Sequence, residues 1–352
     1  MVRADSRRRR EAFEIAGEII PAGERRTVDI PLGVLSTQTP MTLPVHVIHG
    51  KRPGPVLFVS AAIHGDEVLG VEIIRRLLQM KQIAKPRGTL LLVPVVNVYG
   101  FISHTRYLPD RRDLNRCFPG STGGSLASKL AHVFMEEVVR KADYGIDLHT
   151  AGMHRSNLPQ IRVDFDDEVA RRMARAFGAP VTLNSNLRDG SLRQAAQEEG
   201  VHTLLFEAGE ALRFEEGAIR HGVKGVLRVL HDLGIISGKP LAGPKRRPVL
   251  SRSSHWLRAP TGGILRMLYG LGEAVQKGEV IAVVSGPFGD QDIELRAKTD
   301  GIVIGRTNLP VVNQGDAVFH VARVFDPEKA EANVDSMEQD LIEDPLFDEE
   351  IV

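Results

Sequence analysis

The feature that most constrains the fold is an alternation of short apolar runs with longer amphipathic segments. Four runs are largely apolar and rich in β-prone residues, at positions 56–62, 90–96, 144–148 and 201–206. Such runs are typical of strands that are buried on both faces of a sheet. Segments between them have helical periodicity, and Ser125 and Ser191 are suitable N-caps. The pattern predicts an α/β domain with a mostly parallel central sheet flanked by helices.

The last third of the chain has a different character, and it follows a Gly- and Pro-containing segment that is typical of a linker. It contains an internal repeat, in which residues 258–264 match 296–302 and residues 275–279 match 312–316. A twofold repeat of short strands predicts a small all-β C-terminal domain with two similar halves. This domain resembles the biotinyl/lipoyl-like barrel-sandwich. Carrier members have a lysine in the hairpin joining the halves, whereas segment 285–292 has none, which predicts a structural or lid role.

Charge and composition limit the classes of partner. Lys and Arg total 45, as do Asp and Glu, so the zero net charge gives no general reason to expect binding to nucleic acid or a membrane. Cys117 is the only cysteine, which excludes an intrachain disulfide and fits a reducing cytosol. No segment has the ~20 apolar residues of a membrane span, and the first residues lack a signal-peptide core. We therefore expect a cytoplasmic protein, and homo-oligomerisation stays open.

Three side chains have the types and positions of a metal site. His64 and Glu67 lie three residues apart where the first apolar run passes into a helix, so a turn there can direct both at one ion. His149 ends the third run, and the C-terminal ends of parallel strands meet at one edge of the sheet. Two His and one Glu suit Zn²⁺ and leave one coordination position open. Asp147, two residues before His149 on the same strand face, is suited to orient a ligand.

Further polar residues are predicted near the same edge of the sheet. Glu207 follows the fourth run, where it can act as a general base or form a structural ion pair with an arginine. Asn115 and Arg116 lie in an irregular segment that contains three more arginines, Arg106, Arg111 and Arg112. Guanidinium groups bind carboxylates through paired hydrogen bonds. Beside a zinc site the cluster predicts a carboxylate-bearing substrate, whereas without one it would be an ordinary solvated loop.

Four segments together resemble the succinylglutamate desuccinylase/aspartoacylase family, which is similar to the zinc carboxypeptidases. They occur in the family's order and approximate spacing, at residues 62–67, 113–116, 147–150 and 206–209. The resemblance covers residues 50–325 when the β-rich part is included. It implies one zinc ion per chain, bound by His64, Glu67 and His149. It also implies that Glu207 is the general base and later the proton donor.

The resemblance implies roles for the arginine-containing segment as well. Asn115 and Arg116 would hold the α-carboxylate of the substrate. An additional arginine of the family polarises the scissile carbonyl. Arg106 is the best match to it, and Arg111 and Arg112 are alternatives.

The implied function is zinc-dependent amide hydrolysis that removes the acyl group from a small N-acyl amino acid. The alternative is a metallocarboxypeptidase that acts on a peptide or a glutamate tail with the same residues. A carboxypeptidase needs an open groove, whereas the C-terminal domain can cover the site of a deacylase. The predicted organisation is an N-terminal arm with edge strands (1–40), a zinc hydrolase domain (41–243), a lipoyl-like β-rich domain (250–325) and a solvated acidic tail (326–352).

Overall fold

The computed structural model describes residues 10–238, 241, 243, 246–289 and 291–347. The helices are α1 (Leu69–Gln79), α2 (Val98–Ser103), α3 (Leu126–Glu137), α4 (Glu168–Phe177), α5 (Leu192–Glu198), α6 (Glu216–Asp232) and α7 (Pro327–Ile342). The first strands are β1 (Phe13–Ile15), β2 (Glu18–Ile20), β3 (Arg25–Val34), β4 (Pro40–His49), β5 (Arg52–Ala61), β6 (Arg87–Val93), β7 (Tyr144–Ala151), β8 (Arg155–Val163), β9 (Val181–Asn184) and β10 (His202–Glu210). The later strands are β11 (Val249–Ser251), β12 (Ser254–Arg258), β13 (Gly263–Met267), β14 (Ala274–Val275), β15 (Val280–Ser285), β16 (Asp292–Arg296), β17 (Gly301–Thr307), β18 (Val311–Val312) and β19 (Ala317–Arg323).

The four predicted apolar runs form the centre of the main sheet. They are β5, β6, β7 and β10, which lie in the order β10-β7-β5-β6 and are all parallel to their neighbours. This confirms the α/β class. The outer strands differ from the prediction, because β3 is antiparallel to β4, β4 is antiparallel to β6, and β8 is antiparallel to β10. The sheet is therefore mixed, and the prediction of a mostly parallel sheet holds only for its centre.

Strand β8 shows why the pattern of apolar runs did not predict the antiparallel strands of the main sheet. It follows β7 after a short turn, without an intervening helix. Only antiparallel strands can be joined so closely, since a parallel pair needs a crossover connection. Its sequence also includes the polar residues Asn157, Gln160 and Arg162 and a proline at 159, so it lacks the continuous apolar run that marks the central strands.

Alternating side chains bury both faces of the central sheet. On β5, Leu57 and Val59 pack in the core layer that contains α1, α4 and α6, whereas Phe58 packs in the layer that contains α3 and α5. The predicted N-caps Ser125 and Ser191 are confirmed, since both side chains accept a hydrogen bond from a first-turn N–H of α3 and α5. The helices thus cover both faces of the sheet and leave the C-terminal ends of its strands for the site.

The C-terminal strands form the predicted all-β part, and the repeat is visible in their pairing. Val275 of β14 in the first half pairs with Gly301 of β17 in the second, and Val312 of β18 pairs with Gly263 of β13 in return. A second sheet has the order β16-β15-β13-β18. Strand β17 also pairs with β8, so the main sheet continues into this part. The biotinyl/lipoyl-like assignment and the domain boundaries stay predictions.

The acidic tail is more ordered than expected. Residues Pro327–Ile342 form α7, whose Ala330, Val334, Met337 and Leu341 are buried. Apolar residues at this helical spacing bury one face of the helix although its other face is acidic. The prediction of a solvated tail is therefore wrong for α7, and residues 348–352 lie outside the described residues.

The N-terminal region forms three strands where it is described, and its role as a separate arm stays a prediction. Strands β1 and β2 form a hairpin, and β3 is an edge strand of the main sheet. The arginines at positions 7–9 lie outside the described residues. Across the described part of the chain, no helix is both long enough and apolar enough to span a bilayer.

Candidate active site

The connection between β5 and α1 contains two of the predicted ligands, His64 and Glu67. The backbone conformation of this connection is tightly constrained. Ala62 has a left-handed backbone conformation with φ of 51°, and a Cβ on Gly65 would lie 2.0 Å from the carbonyl carbon of Gly100. Only glycine therefore fits at position 65 without a shift of the neighbouring backbone. The resulting turn buries the side chains of both predicted ligands at the end of β5.

His64, Glu67 and His149 meet as the sequence predicts. Nδ1 of His64 lies 2.7 Å from Oε1 of Glu67, and Nδ1 of His149 lies 2.8 Å from Oε2 of the same carboxylate. The candidate ligand atoms all lie within 4.8 Å of one another, and the three residues are buried. We refer to these three residues as the triad.

Each imidazole of the triad has a second carboxylate at its other nitrogen. His64 Nε2 donates to Asp113 Oδ1 over 3.1 Å, and His149 Nε2 donates to Asp147 Oδ2 over 2.6 Å. The Ser60 hydroxyl donates to the other oxygen of Asp147 over 2.8 Å. Carboxylates of this kind fix the ring orientation of metal-binding histidines. Here they direct both Nδ1 atoms towards the centre of the triad.

The electrostatics of the triad keep its carboxylate ionised. Burial raises the pKa of Glu67, but His64 and His149 outweigh this effect and hold the pKa well below its ordinary value. Burial lowers the pKa of His64, yet Glu67 and Asp113 raise it overall. The pKa of His149 is raised strongly in spite of burial, because Asp147 and Glu67 lie beside it. A metal ligand must be a carboxylate anion or a neutral imidazole, so a cation here would replace the protons on these rings.

The donor set of the triad fits zinc. Two imidazole nitrogens and one carboxylate oxygen, buried and close to one another, are the ligands that catalytic zinc sites use. Glu67 also accepts a hydrogen bond from the backbone N–H of Thr150 over 3.1 Å, which fixes its carboxylate further. The residues present therefore suit the metal that the sequence predicts.

Glu207 reaches the same edge of the sheet from the neighbouring strand. On β10 it lies in register with His149 of β7, so both side chains occupy one face of the sheet. Arg162 of β8 forms an ion pair with Glu207, and both side chains line the cleft beside the triad. The structure thus combines the two interpretations of Glu207, a position suited to a general base and an arginine partner.

The structure brings three residues of the predicted substrate segment to the cleft. The guanidinium of Arg106 donates to Glu67 over 3.1 Å and to Asp113 over 3.0 Å. Asn115 is buried, and its Oδ1 accepts the backbone N–H of Leu192 over 2.9 Å. Arg116 lies beside Asn115 and donates to its backbone carbonyl. All three predicted side chains line the cleft together with the triad.

Arg111 and Arg112 are placed differently from the prediction. Both are exposed, and neither lines the cleft. The backbone N–H of Arg111 donates to Leu108, and Leu108 donates to the carbonyl of Arg112, which closes a tight surface turn. Arg111 itself has a left-handed φ of 62° in this turn. The turn holds both arginines on the surface, apart from the residues that line the cleft.

Three arginines of the cleft were not predicted from the sequence: Arg162, Arg188 and Arg193. The pKa of Arg193 is lowered to about 10, mainly by burial and in addition by the charges of Arg162 and Arg188. One terminal nitrogen of Arg193 binds Ser185 and a backbone carbonyl, while the other is buried without a hydrogen-bond partner among the described residues. The cluster therefore concentrates positive charge in the cleft, and among the described residues Glu207 forms an ion pair with one of its members, Arg162.

Comparison with known proteins decides the family. Residues 53–233, just over half of the chain, match the family described as succinylglutamate desuccinylase/aspartoacylase catalytic domain. The chain belongs to this family. The structure confirms the predicted resemblance, and the match includes the triad and every cleft residue named above.

Three individual proteins extend the similarity over most of the chain. The N-alpha-acetyl-L-2,4-diaminobutyric acid deacetylase of Halomonas elongata is 28% identical over 81% of this chain and 86% of its own length. A succinylglutamate desuccinylase/aspartoacylase from Rhodobacter sphaeroides is 28% identical, with a TM-score of 0.76 over 86% of this chain and 96% of that one. The product-bound ectoine utilization protein EutE (DoeB) of Ruegeria pomeroyi is 25% identical, with a TM-score of 0.78 over 85% and 95% of the two chains.

Proposed function

We propose that the protein is a zinc-dependent hydrolase that removes the acyl group from small N-acyl amino acids. The observation that carries the proposal is the buried triad, which shares one cleft with Glu207 and Arg116. The Halomonas relative is a deacetylase of an N-acetylated amino acid, and this supports the predicted class of reaction. A cytoplasmic location remains part of the proposal.

The contacts of the cleft residues indicate the role of each residue in the proposed reaction. Asn115 and Arg116 hold the α-carboxylate of the substrate, since an exposed guanidinium beside a buried amide offers several donors to it. Arg106, fixed against the triad by two ion pairs, stabilises the negative charge that develops on the scissile carbonyl oxygen. Zinc, when bound at the triad, supplies a Lewis acid for the same carbonyl and for water.

Glu207 carries the protons of the proposed reaction. It takes a proton from the attacking water and delivers it to the leaving nitrogen, which departs as the free amine of the amino acid. The ion pair with Arg162 holds the carboxylate at the edge of the sheet. Because Arg162 and Glu207 lie on adjacent strands, the backbone fixes their relative positions.

The unpredicted arginines narrow the substrate class. The cavity between the site residues has a volume of ≈ 140 Å³, which suits a small molecule better than a peptide chain. Arg188 and Arg193 also line the cleft, and neither forms an ion pair with a described residue, although Asp164 and Asp147 lie near enough to Arg193 to raise its pKa. We therefore favour an N-acyl amino acid that carries a second anionic group in addition to the α-carboxylate.

Two measurements on the full chain test the proposed function. Elemental analysis of protein purified without chelator should give about one zinc per chain. His64→Gln should lose the metal, whereas His104→Asn should keep it, because His104 is exposed in a left-handed conformation that asparagine tolerates. Absence of metal, with no hydrolysis gained on adding zinc, would contradict the proposal.

A substrate panel tests the reaction and its preferred charge. It should compare N-acetyl and N-succinyl forms of acidic, neutral and basic amino acids, including N-acetyl-2,4-diaminobutyrate. We expect kcat/KM to be at least ~10-fold higher for substrates with a second carboxylate, because a charged hydrogen bond contributes roughly 1.5–3 kcal/mol. Hydrolysis of C-terminal residues from peptides in preference to every N-acyl amino acid would favour the carboxypeptidase alternative.

A further inference from the structure

A cavity larger than the cleft lies at the opposite ends of the central strands. It has a volume of ≈ 500 Å³ and is formed where β3, β5 and β6 begin and β4 ends. Strand β5 starts at Arg52 in this cavity, and its other end leads to the triad. A ten-residue strand spans about 30 Å, so the cavity is separate from the cleft. We refer to it as the basal pocket.

The lining of the basal pocket is strongly cationic. Five of its side chains are basic and exposed: Arg25, Lys51, Arg52, Lys85 and Arg87. None of the five forms an ion pair with any residue that the structure describes. The single acid of the lining, Glu24, is turned towards Arg26 at 3.4 Å. In a chain of zero net charge, this is a marked local excess of positive charge.

Another arginine lies directly behind the wall of the basal pocket. Arg10 donates to the carbonyl of Gly88 over 2.5 Å and to the carbonyl of Gly50, a lining residue, over 3.2 Å. It has no acidic partner among the described residues, and burial lowers its pKa. His49, which also lines the pocket, is affected by this charge, because burial and Arg10 both lower its pKa. Arg10 therefore adds positive charge to the wall, and it occupies two backbone carbonyl oxygens whose partial negative charge would otherwise offset that charge.

We propose that the basal pocket binds a small molecule that bears a chain of phosphate groups. Like charges gathered around a concavity raise its potential, and an anion inside it replaces their mutual repulsion with attraction. Lys and Arg are the usual phosphate ligands. A dicarboxylate would neutralise only two of the five cations, whereas a triphosphate neutralises most of them. The pocket volume lies within the range of nucleotide-sized ligand sites.

The test is equilibrium binding to the full chain at low salt, with inorganic tripolyphosphate, ATP and citrate as separate probes. We expect both phosphate compounds to bind with Kd below about 1 mM and citrate to bind at least ~10-fold more weakly. Equal binding of the two phosphate compounds would identify the phosphates as the recognised group. Tighter binding of ATP would show that the nucleoside also contributes to binding, and it would still support the proposal.

Matched variants locate the binding site. Arg52 and Arg87 face each other at the start of β5 and β6, and the double variant Arg52→Gln/Arg87→Gln should weaken tripolyphosphate binding at least ~10-fold. Lys81→Gln is the control, because Lys81 is exposed on the same side of the sheet but does not line the pocket. The melting temperatures of both variants check that the fold is intact. Absence of phosphate binding to the wild type, equal binding of citrate, or unchanged binding to the double variant would overturn the proposal.

Discussion

Because His221 of α6 is buried, we expect the protein to lose stability in mild acid. Its side chain is buried, and its Nε2 atom makes no hydrogen bond with any described residue. Burial lowers the pKa of His221 from an ordinary value of 6.5 to about 3, and the charges of Arg228 and Lys224 contribute. The folded protein therefore keeps this imidazole neutral at pH values where the unfolded chain protonates it.

The sign and size of the effect follow from proton linkage. A lowered folded pKa means that the unfolded state binds more protons, so stability is lost as the pH falls below the unfolded value. A difference of about 3.5 between the two pKa values corresponds to about 5 kcal/mol when the pH has fallen below both. From pH 7.5 to 5.5 this one group should cost about 1.4 kcal/mol of unfolding free energy.

Urea unfolding at about pH 7.5 and pH 5.5, fitted for the free energy in water, measures this loss. His221→Gln removes the titrating group, so its unfolding free energy should change by about 1.4 kcal/mol less than that of the wild type over the same interval. His104→Asn should keep the wild-type pH dependence, since His104 is exposed. A lower stability of His221→Gln at both pH values does not affect the test, because only the change in unfolding free energy between the two pH values is compared. An identical slope in wild type and His221→Gln would refute the reasoning.

Two further predictions concern the cleft. Glu207→Gln should keep the zinc content of the wild type and lower kcat at least ~100-fold, because it removes the proton acceptor without changing the shape of the side chain; near-normal turnover would make Glu207 structural. Arg116→Lys should lower kcat/KM by about 10- to 150-fold with unchanged zinc, because lysine cannot form two parallel hydrogen bonds to a carboxylate. A substrate whose α-carboxylate is amidated should be affected little by Arg116→Lys, and independent, multiplying losses would show that Arg116 does not contact this carboxylate.

The central strands and the triad could be predicted because their local sequence carries the signal. A strand buried on both faces needs a largely apolar run, and His149 and Glu207 follow directly after two such runs. His64 and Glu67 stand between such a run and a helix. Parallel pairing then brings the four residues to one edge without any detail of packing. The sequence therefore contains enough information for the main features of the site.

The arginine cluster could not be predicted because its proximity depends on tertiary structure. Arg162 lies on β8, which has no apolar run and enters the sheet antiparallel. Arg193 lies in the first turn of a helix whose N-cap was recognised, but helical periodicity does not show which neighbouring element it faces. Conversely, Arg111 and Arg112 are close to Asn115 in sequence but do not line the cleft, because both lie in a tight surface turn.

The pairing of β17 with β8 has a consequence for how the protein can be divided. Residues Ser156 and Asn157 of β8 have ladder partners in the C-terminal part, whereas the second half of β8 pairs with β9 and β9 pairs with β11. A chain ending before β11 would therefore leave the start of β8 and the outer side of β9 as open strand edges. Unpaired edges are templates for association with other chains. A truncated protein should therefore aggregate even where every residue of the cleft is retained. Any shorter protein with this sheet must protect the same edge by other means, through a charged or prolyl residue, a bulge, or a subunit contact.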